Sequence, residues 1–112
     1  MLLKKIIAII DELQLPVVEK VLSDHGITGF TVHPVKGRGH YANLFSEDGL
    51  VNHQQIEVYT SDQYAEKIAE LIADTACLDG AGQGIVAINT VDKLYGVSNK
   101  KSINPNDFNF FE

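Results

Sequence analysis

The stretch Val35-Lys36-Gly37-Arg38-Gly39-His40 gathers the only arginine of a 112-residue chain between two glycines, with a lysine and a histidine on either side. Those residue types suit one kind of chemistry, the holding of an anion. A glycine has no Cβ, so its backbone N–H can come close to a phosphate oxygen. A guanidinium offers a planar fork of donors that matches two such oxygens. The bland alternative is a solvated turn in which the glycines serve only chain geometry. Spacing alone leaves both open.

Other chemistries are harder to find. Gly37-Arg38-Gly39-His40-Tyr41-Ala42 satisfies G-x-G-x-x-G/A, and Glu57 lies about 20 residues downstream, as a dinucleotide fingerprint wants. That motif must open a helix inside a βαβ unit, however, and the residues after Ala42 have no helical period. His25, His33, His40, His53 and Cys77 raise the question of a metal, but no pair shows ligand spacing on one element. His25 reads as the end of a helix, His33 as a surface imidazole on a strand, and Cys77 as a small core residue. His40 and His53 bracket a loop whose closure would bring them together, so they are the candidate metal or proton-sensing pair. Glu57 lacks a nucleophile or second acid nearby and reads as a structural carboxylate, bonding Thr31 or a ligand's sugar. No catalytic residue is assigned.

The elements that must position these residues follow from composition and period. A hydrophobic content of 45% and a charged content of 21% are those of one globular domain with a real core. Fifteen acidic against nine basic residues give a net charge of −6, which argues against a nucleic acid or an anionic membrane as partner. The single cysteine excludes an intrachain disulfide and fits a reducing cytosol. The opening "MLLKKIIAII" is too short an apolar run to insert into a membrane, and its lysines interrupt it.

Residues 2–10 predict a central strand. Pro16 at a first helical position, the stripe Val17, Val18, Val21 and Leu22, and the stop at Gly26 predict a helix over 16–25. Residues 29–36 alternate and predict a second strand, with Pro34 confining it to an edge or a bulge. A punctuated loop follows, then a strand over 54–60. Ser61 as N-cap and the face Tyr64, Ala65, Ile68, Ala69, Ile72 and Ala76 predict a helix to about Cys77. "IVAINTV" is the fourth strand, and Phe108, Phe110 and Phe111 close a tail expected to pack back on the domain. The order βαββαβ predicts an α+β, ferredoxin-like sandwich: a four-stranded antiparallel sheet with both helices on one face. With Leu2, Ile6, Ala8 and Ile10 toward the helices, Leu3, Ile7 and Ile9 leave the other face apolar, which oligomerisation through the sheet would resolve.

"KKIIAII", "HGITGFTVHPVKGRGH", "QIEVYTSD" and "GQGIVAINTVDKL" resemble, in order and spacing, the PII family of signal-transduction proteins and its PII-like relatives, over roughly residues 4–97. The resemblance implies a domain at 1–97, a T-loop at about 37–53, and a separate C-terminal tail at 98–112. It implies a cytoplasmic homotrimer without catalysis, binding an adenine nucleotide between subunits and controlling a membrane transporter or an enzyme through the T-loop. The positions matching the family's nucleotide site are Ile9, Thr31, Gly37, Arg38, Gly39, Tyr59, Thr60, Gly82, Gln83 and Gly84, with Lys36 and His40 beside the loop base. The family's phosphate turn has an aspartate and a lysine where this chain has Gly82 and Gly84, and its two arginines fall on Tyr95 and Val97. That thinning of positive charge implies AMP or ADP over ATP, with a cyclic nucleotide also open. A second expectation is a metal-responsive trimer resembling CutA-type relatives of this fold, with His40 and His53 as ligands.

Overall fold

A computed structural model describes residues 1–37, 51–77 and 84–111. Its elements are β1 (Leu3–Asp11), α1 (Leu15–Asp24), β2 (Thr31–Gly37), β3 (Val51–Ser61), α2 (Asp62–Ala76) and β4 (Gly84–Val91), with short 3-10 turns at Glu12–Gln14 and Pro105–Asp107. The sheet order is β2-β3-β1-β4, and every neighbouring pair is antiparallel. This is the ferredoxin-like βαββαβ fold that the alternation of periods predicts. Pro34 sits on β2, which is an edge strand, where a missing N–H costs least.

β1 is sorted by its period of two. Ile6, Ala8 and Ile10 are buried and pack with Ile56 and Val58 of β3, Val18 and Leu22 of α1, and Ile68 and Ile72 of α2. Ile7 and Ile9 alternate with them on the opposite, helix-free face and are half-buried. The chain start differs from expectation. Leu2 is exposed while Leu3 is buried, and both line, with Val91, Leu94, Ile103 and Pro105, a cavity of about 250 Å³ where the C-terminal segment crosses this end of the sheet.

Leaving β1, Asp11 accepts from the Leu13 backbone N–H at 2.9 Å and turns the chain into α1. α1 starts one residue before Pro16 and ends in a Schellman arrangement. Ile27 N–H donates to the Leu22 carbonyl at 2.9 Å and Gly26 N–H to the Ser23 carbonyl at 3.0 Å. Gly26 supplies the φ of 84° that this requires. Leu22 and Ile27, bonded through that cap, are both fully buried. His25 occupies the C-cap position, with its Nδ1 2.9 Å from the Val21 carbonyl.

α2 begins at Asp62 with Ser61 in the N-cap position, but the Ser61 hydroxyl makes no capping bond. The helix start is fixed instead by Asp62, whose backbone N–H donates to the Leu2 carbonyl at 2.9 Å while its carboxylate accepts from Leu2 N–H at 3.1 Å. At the other end Cys77 is exposed rather than a core residue. The helix has ended at Ala76, so the 3.6-residue period no longer governs position 77.

The tail contacts both helix ends. Phe110 and Phe111 pack against the core. The Phe111 ring lies 5.3 Å from the His25 ring, and the Phe110 ring 5.6 Å from the Tyr64 ring. Phe111 N–H donates to the His25 carbonyl at 2.9 Å. Leu22→Ala, which empties a fully buried site, is expected to lower unfolding free energy by about 2–5 kcal/mol. Gly26→Ala, which forces a Cβ into left-handed backbone, should lower it by about 1–2 kcal/mol. Urea denaturation checks both.

Candidate functional site

The sheet register brings the base of the basic loop beside the exit of β1. Gly37 pairs with Val51 and Lys36 with Asn52, while Val35 faces His53, whose other neighbour is Asp11 at the end of β1. Lys36 is exposed and Gly37 half-buried. Arg38, Gly39 and His40, and with them Gly82 and Gln83, lie outside the described residues. His53 is almost wholly buried and lines a cavity of about 280 Å³ with Glu12, Pro34, Val35, Lys36 and Asn52. Among the described residues no three His, Cys, Asp or Glu side chains cluster as metal ligands would.

The entry of β4 reaches the same end. Gly84 pairs with Ile10, and a Cβ built on it would lie 1.9 Å from the Ile9 carbonyl oxygen. Its φ of 137° is a second reason for glycine there. Position 84, which the resemblance aligns with a phosphate-binding lysine, therefore admits no side chain while β1 and β4 keep this approach. A cavity of about 320 Å³ opens here, lined by Ile10, Ala73, Ala76, Cys77, Gly84, Ile85 and Val86.

The remaining site residues divide between the two faces of the sheet. Ile9 is flanked by Gln55 and Ile85, Thr31 faces Glu57, and Tyr59 faces Lys5, all on the helix-free side. Thr60 instead pairs with Lys4, shares the helix side with Ile6 and Val58, and is fully buried. Its side chain is therefore on the wrong side of the sheet to meet Ile9, Thr31 and Tyr59, and only its main chain can join them. Tyr95 and Val97 are exposed beyond the far end of β4.

A polar network that the sequence pattern did not show runs down the helix-free face. Glu57 Oε1 accepts from Gln55 Nε2 at 3.0 Å and lies 3.5 Å from Lys5 Nζ. Lys5 Nζ also sits 5.8 Å from the centre of the Tyr59 ring. Glu57 thus finds its partners on β1 and on its own strand, not on Thr31. The period of β1 puts Lys5 on the face of Ile7 and Ile9, but the pairing that carries it to Glu57 depends on the β1–β3 register, which no local signal announces.

The sheet order and the two helices define a small ferredoxin-like protein. The family model for nitrogen regulatory protein P-II matches residues 3–101. A nitrogen regulatory protein P-II of Pasteurella multocida is 31% identical over 99 residues, covering 82% of this chain and 88% of the relative. A nitrogen regulatory protein P-II 2 of Methanothermobacter thermautotrophicus is 30% identical over 112 residues, covering 90% of this chain and 97% of the relative. The chain belongs to the P-II family, whose members are signalling regulators rather than enzymes. The matched span reaches residue 101, past β4 and into the C-terminal segment.

Gly84→Lys tests whether a lysine can simply be restored at the entry of β4. We expect it to lower the melting temperature and the unfolding free energy by a few kcal/mol, since β1 or β4 must shift to admit it. A melting temperature equal to that of the unchanged protein would show that the approach of Gly84 to Ile9 relaxes freely.

Proposed function

We propose that this chain is a cytoplasmic homotrimeric regulator that binds an adenine nucleotide, AMP or ADP rather than ATP, in clefts between subunits. The T-loop at about 37–53 then reports the ligand to a partner, a membrane transporter or an enzyme. Membership of the P-II family across residues 3–101 carries the reading. Two features of this chain support it. The half-buried Ile7 and Ile9 form an apolar strip on the helix-free face that subunit packing would cover. The loop base, the end of β1 and the entry of β4 meet at one end of the sheet.

In this reading Ile9, Thr31, Tyr59 and the Thr60 main chain lie toward the nucleoside. Gly37, Gly39, Gly82, Gln83 and Gly84 let backbone approach the phosphates, and Lys36, Arg38 and His40 supply charge. Arg38 has the largest share, because neither Gly84, Tyr95 nor Val97 can offset a phosphate. No helix among the described residues is long and apolar enough to cross a membrane, so a transporter would be met at its surface by the loop.

Titration calorimetry with adenosine, AMP, ADP and ATP tests the reading. The phosphorylated ligands should bind more tightly than adenosine, and Arg38→Ala should weaken ADP by roughly tenfold or more, about 1.4 kcal/mol, while leaving adenosine unchanged. Hydrogen exchange over residues 37–53 should slow with ADP present if the loop reports the ligand. Absence of heat with every nucleotide would reject the reading. Binding that leaves exchange in the loop unaltered would reject the loop's part in it.

A further inference from the structure

The C-terminal segment bonds mainly to itself. Asn104 N–H donates to the Asp107 carboxylate at 2.8 Å, Asp107 N–H to the Asn104 carbonyl at 2.9 Å and Phe108 N–H to the Pro105 carbonyl at 3.3 Å. The turn at Pro105–Asp107 therefore closes on its own groups. Ahead of it, Ile103 N–H anchors the chain to the Leu94 carbonyl at 2.7 Å. Beyond it, among the described residues, a single hydrogen bond ties residues 104–111 to the rest of the domain, from Phe111 N–H to the His25 carbonyl.

The rest of the attachment is aromatic. The Phe108 ring lies 5.9 Å from Phe110, which meets Tyr64, and Phe111 lies 5.3 Å from the His25 ring, 6.1 Å from the Tyr64 ring and 5.4 Å from Lys67 Nζ. These groups form a groove between the end of α1 and the start of α2. Its occupant shows what it takes: aromatic rings, a main-chain donor for the His25 carbonyl and a π face for Lys67. The grip is shallow, since Phe108, Phe110 and Phe111 are all half-buried. Phe111 is also held at a φ of 62°, left-handed backbone that a side chain disfavours. A segment tied by one hydrogen bond and strained at its main anchor belongs to the low end of local stability.

We propose that residues 104–111 are a strap that leaves this groove while the sheet stays folded, and that a vacated groove takes the same segment from a second copy of the chain. Because the turn closes on itself, the segment transfers as a unit and makes the same contacts in either groove. Ile103 stays pinned, so the hinge is at Asn104, and residues 105–111 extended span up to about 25 Å. The groove belongs to the helix layer, opposite Ile7 and Ile9. Packing of copies through the helix-free face therefore leaves it open, and the exchanged strap links assemblies from outside.

Hydrogen exchange on the unchanged full chain tests the opening. Corrected for intrinsic rates, the Phe111 amide should exchange at least about a hundredfold faster than those of Ile6 and Ala8 in the doubly paired β1. Equal protection would make the segment part of the core and overturn the strap. Calorimetry with a synthetic peptide of residues 104–111 tests the groove. The full chain carrying Phe110→Ala and Phe111→Ala should bind it, and the unchanged chain, with its groove filled, at least about tenfold more weakly. No binding to the folded variant would overturn the docking site. Should that variant not fold, Phe111→Ala alone takes its place.

Sedimentation of mixed chains identifies the occupant. The double variant keeps the groove without a working strap, and Tyr64→Ala keeps the strap beside a weakened groove. Together, above the dissociation constant of the peptide, they should form a species larger than either forms alone, and excess peptide should disperse it. Absence of that species, or its survival in excess peptide, would overturn the exchange between copies.

Discussion

Strand β1 is paired along both edges and apolar on both faces, and the rest of the molecule is arranged around that fact. Its alternation sends Ile6, Ala8 and Ile10 into the helix layer and Ile7 and Ile9 to the other side. Burying the first set against Val18, Leu22, Ile68 and Ile72 fixes where α1 and α2 lie. Each such side chain contributes on the order of 1.5–3 kcal/mol. A one-residue slip against β3 would exchange the two sets and expose the core, so the register is held firmly. The same register sets Gly37, Lys36 and Gly84 at the exit of β1.

The helix-free face is not simply a second hydrophobic surface. Ile7 and Ile9 lie beside Lys5, Gln55 and Glu57, whose charged and amide groups satisfy one another. With side-chain exposures of 25% and 20%, the Lys5–Glu57 pair adds well under about 1 kcal/mol in a single chain. Its effect is directional. It holds Lys5 near the Tyr59 ring and fixes the Glu57 carboxylate opposite Thr31, so the middle of the face is polar and ordered where the nucleoside part of the proposed site would lie.

Much of the fold was legible because its signals are local. The two-residue period of β1, the stripe at Val18 and Leu22, the stop at Gly26 and the run Ala65, Ile68 and Ile72 each announce an element without help from elsewhere. What could not be read depends on distant partners. Leu2 is exposed and Leu3 buried at the end of the sheet that the C-terminal segment crosses, an arrangement no local period announces. Ser61 does not cap α2 because Leu2 and Asp62 bond each other across the chain. Cys77 leaves the core because the helix stops one residue earlier. Among the candidate site residues, the face each occupies follows from the pairing register, which separates Thr60 from Ile9, Thr31 and Tyr59 although all four belong to neighbouring strands. Arg38 and its glycines were legible only by residue type and by resemblance.

Topology also explains why the entry of β4 carries no charge beside the loop base. In an antiparallel βαββαβ sheet the exit of β1, the exit of β2, the entry of β3 and the entry of β4 all fall at one end, so four chain segments converge there. Convergence makes a cleft, but it also crowds backbone. At Gly84 the carbonyl of Ile9 already occupies the space a side chain would need. At the entry of β4 a basic side chain is therefore shut out, whereas edge strand β2 leaves Lys36 exposed at the same end. Lys36 is the next-to-last residue of β2, paired with Asn52, and Arg38 follows it by two residues in the sequence.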